Sequence, residues 1–358
     1  MKNISLRAGR FLTLGLLLTG LGLGSCKKDD TTTVYGNWTQ SSTYAGVARS
    51  EAVSFVINGV AYAGTGRNSV GTPLKDFYSF DPAKGGWSPL TPMPTAAAAR
   101  YAAVAFSANN KGYVGTGNDG NGNYLADFWE FDPAGTTSTT VGPVTTTTVG
   151  SWRQVASLTT APNGTGRFSA VAGSINNIGF VGCGFDGNNQ NNFFKYNPAN
   201  NTWTAFASPF PGDKRTGAVA FVLANQFYVA TGTNNNANVT DMYAYNPQSD
   251  SWGLPKHYLR NVSNSTESYD YSAVARSQAV AFTVNDKAYI ATGGSTLLTC
   301  YEYNATDDTW TLKNPYVGSA RNSAVAFGIG NYGYVGLGYT GSTRFDDFWR
   351  FAPNDAQQ

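Results

Sequence analysis

The apolar positions of this chain come in a cycle that repeats from end to end. Runs such as Ala218-Val-Ala-Phe-Val-Leu223 are apolar at nearly every position, the pattern of a strand covered on both faces. After a turn comes a run led by Tyr or Phe that ends in a tripeptide such as Gly64-Thr-Gly66, Gly115-Thr-Gly117 or Ala230-Thr-Gly232. Its glycines permit positive φ or close backbone approach. A third run alternates bulky and variable residues, as in Asp76-Phe-Tyr-Ser-Phe80 and Asp127-Phe-Trp-Glu-Phe131, and reads as a third strand. It stops at Asp81-Pro82, Asp132-Pro133, Asn197-Pro198 or Asn246-Pro247. Asp or Asn before Pro is turn chemistry, because the side chain bonds its own backbone and Pro presets φ. A tryptophan-bearing run follows, so each cycle predicts four strands, a to d.

Every cycle opens on an arginine. Arg49, Arg100, Arg167, Arg215, Arg276 and Arg321 lead copies whose starts lie 45 to 67 residues apart, a blade length rather than that of a helical solenoid. Trp87, Trp152, Trp203, Trp252 and Trp310 give strand d to five copies, whereas the sixth ends at Ala352-Pro353 with no such strand behind it. Trp38, in Gly36-Asn37-Trp38-Thr39 before the first arginine, is expected to supply it, tying the chain ends together and protecting the edges an open array exposes. In copy two the tryptophan comes late, and the Thr/Gly/Val tract from Ala134 to Val149 is expected to be a solvated c–d turn without a core. The fold class is therefore all-β: a six-bladed β-propeller whose last blade is closed by an N-terminal strand.

These marks, the arginine-led strand, the glycines after Tyr-Val, the Asp-Pro and the tryptophan after a fixed gap, resemble the kelch repeat. The resemblance spans residues 36 to 353 and implies a propeller of the galactose-oxidase-like kelch superfamily. In most copies Gly-x-Gly or Ala-Thr-Gly stands where that family has a Gly-Gly doublet.

Composition removes several classes of function. Charged residues make up 13% and the net charge is +2, which gives neither a nucleic-acid footprint nor a polybasic membrane surface. Lys2, Arg7 and Arg10 precede an apolar segment from Phe11 to Leu23 that is short for a membrane span and reads as a leader. Leu23-Gly24-Ser25-Cys26 resembles the lipobox of bacterial lipoproteins, which implies removal of residues 1–25, a diacylglycerol on Cys26 and a tether over residues 26–35. Lys27-Lys28-Asp29-Asp30 resembles the charged signals that send some lipoproteins to the outer face of the outer membrane. Residues 354–358 read as a tail. Cys183 and Cys300 fall in non-neighbouring blades and are expected as small buried residues without a disulfide.

Up-and-down strands place the b–c and d–a loops on one face of the disc, so the six arginines are expected around the channel mouth on that face, with the Asn- and Gly-rich b–c loops. The likeness to kelch adaptors for acidic peptides implies ligand carboxylates for Arg49, Arg100, Arg167, Arg215, Arg276 and Arg321. Read from the residues alone, the stronger expectation for each is a structural group bonded to loop carbonyls or to the Asp or Asn opening strand c. Copies three and five open that strand with Asn192 and Thr299, which makes Arg167 and Arg276 the guanidinium groups available to an anionic ligand. The long d–a loop from Gly253 to Ala275 is expected to overhang the same mouth, with Tyr269 and Tyr271 as an aromatic wall.

No metal or other cofactor is expected. The single histidine, His257, cannot build a copper or zinc site of the usual ligand set. Asp119-x-Asn121-x-Asn123 with Glu130 imitates a calcium loop, but Tyr124 stands where the sharp turn wants Gly. No nucleophile stands at catalytic spacing. The expected function is a membrane-anchored, monomeric, non-catalytic binding module for a glycan, peptide or partner protein, with no nucleic-acid partner. The alternatives are a sugar mutarotase or epimerase, for which Glu267 and Asp270 are the acid–base candidates, and a scaffold subunit of an outer-membrane complex.

Overall fold

A computed structural model describes residues 34–253, 255 and 257–358; the leader, Cys26 and the charged run after it lie outside the described residues. Val34–Gln358 forms one compact unit. Within it, six four-stranded antiparallel sheets follow the order a-b-c-d, and their innermost strands touch around a ring. The molecule is an all-β, six-bladed propeller. Blade one comprises Val53–Ile57, Val60–Gly64, Phe77–Asp81 and Gly86–Pro89. Blade six comprises Val325–Ile329, Tyr332–Gly336, Phe348–Ala356 and, outermost, Tyr35–Gln40. Trp38 there pairs with Phe351, and Tyr35 pairs with Ala356, so the last strand runs past Pro353 into the residues expected as a tail.

The strands form where the sequence leaves the backbone little choice. Strands a and b are joined by two-residue turns with both φ positive, such as Asn58-Gly59, Asn109-Asn110, Asn176-Asn177 and Asn285-Asp286, the hairpin geometry that Asn, Asp and Gly favour. Along strand a, inward β-branched residues alternate with a phenylalanine that stacks on the tyrosine opposite: Phe55 on Tyr62, Phe106 on Tyr113, Phe221 on Tyr228, Phe282 on Tyr289 and Phe327 on Tyr334, at 5.1 to 5.3 Å. Each pair then meets a strand-c ring of the next blade, as Phe55 meets Phe131 and Phe327 meets Phe80. Blade-to-blade adhesion is thus aromatic, worth about 0.5–1.5 kcal/mol per ring pair beyond area burial.

The tripeptides have a steric cause. Their first residue pairs with the first residue of strand c, and a Cβ on Gly64, Gly115, Gly182 or Gly336 would lie 2.1 to 2.6 Å from the ring of Phe77, Phe128, Phe193 or Phe348. Where Ala230 and Ala291 replace glycine, the facing residues are Met242 and Cys300. The variation between copies is therefore a matched swap of side-chain volume across one strand pair. The last glycine has another duty. Gly66, Gly117, Gly184, Gly232, Gly293 and Gly338 have positive φ and donate their N–H to the leading arginine's carbonyl in the next blade, at 2.7 to 2.9 Å.

One segment departs from expectation. The Thr-rich tract of blade two is no loose turn, for strands c and d continue through it as a ribbon, Phe128–Val141 with Val144–Val155. Thr137 faces Thr148, Ser138 faces Thr147 and Thr139 faces Thr146. Threonine is β-branched and suits a pleated surface even without a core beneath it. At its base the ribbon is tied to blade one, where the Thr91 N–H donates to the Val149 carbonyl at 2.9 Å.

Candidate functional site

The innermost strands surround a channel of about 210 Å3 lined by Ala-Val-Ala segments, or Ala52-Val-Ser54 in blade one. At its b–c/d–a end, the second residue after each arginine takes a left-handed conformation: Glu51, Ala102, Ser169, Gly217, Gln278 and Ser323. Their backbones join head to tail. Ala102 N–H donates to Glu51, Ser169 to Ala102, Gly217 to Ser169, Gln278 to Gly217, Ser323 to Gln278 and Glu51 to Ser323, at 2.8 to 3.2 Å. Six bonds crossing six blade boundaries fix this rim.

The leading arginines lie behind the rim rather than on it. All six are at most 1% exposed. In each, Nε donates to the carbonyl two residues earlier and Nη1 to the carbonyl of the tripeptide's middle residue. Arg49, Arg100 and Arg321 fork onto Asp76, Asp127 and Asp347, and Arg215 pairs with Asp241. The carboxylates come from the same blade. Burial pushes the Asp127 and Asp347 carboxyls up, yet the arginine hydrogen bonds outweigh it and hold both below the usual range. Arg167 and Arg276 have no carboxylate partner, as their strands' first residues anticipate, but their donors are filled by Asn192 Oδ1 and Thr165 Oγ1, and by Thr299 Oγ1 with the Ala273 and Thr299 carbonyls. Burial pulls Arg167 down to about 10. These guanidinium groups hold strand c against strand b and reach no solvent.

The long d–a loop also takes another course. His257 N–H donates to Asp308 Oδ2 at 2.8 Å, and Asp308 lies in the c–d turn of blade five, the end of the blade opposite its arginine. A short hairpin, Asn261–Ser263 with Ser268–Asp270, folds back so that Glu267 Oε1 comes within 3.0 Å of His257 Nε2. Tyr269 stacks on Tyr271 at 4.9 Å and meets the imidazole at 4.3 Å. The two tyrosines expected as a wall over the mouth thus clasp His257 instead. The calcium-like acids separate as well: Glu130 accepts from Tyr113 and Arg153 inside blade two, while Asp119 accepts from Asn121 and Asn123 of its own loop. Among the described residues no group of three His, Cys, Asp or Glu is placed to hold a metal ion.

What the mouth does present is a row of side chains from the first residue after each arginine and from the b–c loops. In blade one Arg67 is ion-paired with Glu51, and its guanidinium lies 4.6 Å over the Tyr101 ring. Tyr124, 37% exposed, packs on Phe168 at 5.4 Å and Phe185 at 5.9 Å. On the other side, Arg344 lies 4.9 Å over Tyr339. Burial raises the Glu51 carboxyl, against the pull of Arg67 and Arg344. No family model matches the chain, and no curated protein matches it at a significant level.

The signal for these residues was in the sequence at two fixed offsets. The residue after each arginine is Ser50, Tyr101, Phe168, Thr216, Ser277 or Asn322, and the residue after each tripeptide is Arg67, Asn118, Phe185, Thr233, Gly294 or Tyr339. Large and charged types fall at those offsets in blades one, two, three and six and small ones in four and five.

Proposed function

We propose that the protein is a kelch-type propeller acting as a non-catalytic binding module, with its ligand, a glycan, peptide or partner protein, seated on the b–c/d–a mouth. The observation that carries this reading is the division of labour at that end of the disc. Six arginines are consumed inside the blades, while a second set of aromatic and arginine side chains occupies the solvent-facing rim. Partly exposed aromatic and Arg side chains on a rigid frame lose little conformational entropy on binding and are the groups that concentrate binding energy. Lipidation of Cys26 would hold this disc at the outer membrane by acyl chains.

The test is a ligand screen of the full chain against a glycan array and a peptide library, followed by Arg67→Ala and Tyr339→Ala. The reading requires a ligand whose affinity falls in these variants. Ligands that respond only to changes on the c–d turn face would overturn it. For the anchor, metabolic labelling with an alkyne fatty acid should mark the wild type and leave Cys26→Ser unlabelled.

A further inference from the structure

The mouth is uneven, and its unevenness has a direction. From blade one to blade three the rim is continuous. The b–c loops of blades one and two touch where a Cβ on Gly120 would lie 2.8 Å from Pro73, and the blade-two loop touches the entry to blade three where a Cβ on Gly166 would lie 1.9 Å from the Tyr124 carbonyl oxygen. Along this arc stand Arg67, Tyr101, Tyr124, Phe168 and Phe185, with the Arg67 guanidinium 4.6 Å over the Tyr101 ring. Blades four and five continue the rim with Thr216, Thr233, Ser277 and Gly294, without a ring at these offsets.

Each of the three blades also sets a hydrogen-bonding side chain at the second position after its tripeptide: Asn68, Asp119 and Asp186. Asn68 and Asp119 are fixed by their own loops, and Asp186 by its loop together with Thr165 before the leading arginine. Asn68 Oδ1 accepts from the Val70 and Thr72 N–H groups, and Asp119 Oδ1 accepts from the Asn121 and Asn123 N–H groups at 2.8 and 3.1 Å. Asp186 accepts from Thr165 Oγ1 at 2.8 Å and Gln190 Nε2 at 2.7 Å. A carboxylate has about four acceptor sites; the Asn121 and Asn123 side-chain amides fill Asp119 Oδ2 as well, whereas Asp186, with the Asn188 N–H as its third donor, keeps one for an incoming hydroxyl. A ring beside a fixed polar side chain therefore recurs in blades two and three.

We infer that this arc, Arg67-Tyr101-Tyr124-Phe168-Phe185 with Asp119 and Asp186, binds a linear neutral oligosaccharide laid across blades one to three. A pyranose offers an apolar C–H face for a ring and hydroxyl edges for a carboxylate or guanidinium, and a linear polymer repeats both. A repeated receptor unit matches a repeated ligand unit. The charge of the two carboxylates disfavours an acidic polymer, because Asp119 and Asp186 would repel it. The inference rests on the mouth being the ligand face and adds the ligand class and the blades that read it.

The experiment is calorimetric titration of the full chain with hexasaccharides of the cello, xylo, laminari, manno and chito series, with oligogalacturonate as the acidic control. Binding of at least one neutral series is expected, rising in affinity from disaccharide to longer chains. Tyr124→Ala and Phe168→Ala should each weaken it by about tenfold, the worth of one ring contact. Thr233→Ala, in blade four, should leave it unchanged, and thermal melts of all three variants exclude unfolding as the cause. Silence of all the neutral series overturns the inference. So does preference for oligogalacturonate, or a neutral ligand indifferent to both ring removals. A peptide or protein ligand sensitive to Arg67→Ala alongside silent sugars would sink the glycan and leave the binding module standing.

Discussion

Blades two and three carry the same arginine in the same cage and differ in what answers its charge. In blade two, Arg100 gives Nε to the Ala98 carbonyl, Nη1 to the Thr116 carbonyl and Asp127 Oδ1, and Nη2 to Asp127 Oδ2. In blade three, Arg167 makes the same carbonyl contacts through Thr165 and Cys183, but Asn192 and the Thr165 hydroxyl stand in for the carboxylate. The Thr165 hydroxyl in turn donates a hydrogen bond to Asp186 Oδ2 at 2.8 Å, so the nearest negative charge is one residue removed. Hydrogen-bond satisfaction is alike in the two blades, and charge neutralisation is not. The repeat therefore needs a planar, many-armed donor at this point more than it needs an ion pair, which explains how the arginine persists in blades three and five where the aspartate does not. The electrostatic cost shows in the guanidinium itself. Burial lowers Arg167 to about 10, while Arg49 in blade one is buried too, yet its bonds to Asp76 lift it above its ordinary value.

Removing the acceptor in each blade should separate the two cases most widely. Asp127→Ala strands a buried guanidinium and also leaves Trp129 Nε1, which donates to Asp127 at 2.6 Å, without its partner. The loss should be about 3–5 kcal/mol, the usual result of breaking a buried pair from one side. Asn192→Ala removes one neutral acceptor and should cost about 1–2 kcal/mol. Urea unfolding of the two variants checks this, and equal losses would mean that the carboxylate's charge does nothing for blade two.

Acid should expose the same difference more gently. The folded-state values of Asp127 and Asp347 lie below their unfolded value. Their contribution is therefore fully present above the unfolded carboxylate pKa of about 3.9 and is lost as pH falls through the depressed folded value. Stability of the wild type should decline below about pH 4. Asp127→Asn should start less stable and decline less steeply, since one of the titrating pairs is gone. Parallel declines in chemical-denaturation midpoints from pH 6 to pH 2 would contradict the assignment.

What could be read from the chain beforehand follows from which interactions are local in sequence. Ring closure was legible because Trp38 is one more tryptophan of a kind already counted, and its pairing with Phe351 follows from the missing strand. The matched pairs Gly64 with Phe77 and Ala230 with Met242 are not legible beforehand, because the volume exchange between them needs the register to be seen. The Thr-rich ribbon misled because low complexity usually signals a solvated turn, whereas β-branched residues facing one another hold a register without a core. The mouth misled more. An arginine at the head of a strand looks the same in sequence whether its guanidinium turns inward or outward, and the long loop's course is decided by the contact of His257 with Asp308, 51 residues away. Arg67 and Tyr101 went unnoticed since they repeat in position and not in type.

The finest test converts one blade into the other. Asn192→Asp in blade three supplies the missing carboxylate at the residue whose Oδ1 already accepts from Arg167 Nη1 at 2.7 Å, so no backbone movement is required. A charge-assisted bond is about twice as strong as a neutral one, but the new carboxylate must be partly desolvated and lies in the field that Asp186 already exerts on Arg167. The two effects nearly offset, leaving an expected gain of about 1 kcal/mol, or a rise in melting temperature of about 2 °C for a domain of this size. The gain should vanish below about pH 4, where an aspartate depressed by its arginine takes up its proton. If Asn192→Asp is neutral or destabilising at pH 7 while Asp127→Asn is costly, the Thr165–Asp186 relay already compensates Arg167, and blade three is an alternative solution rather than an incomplete copy of blade two.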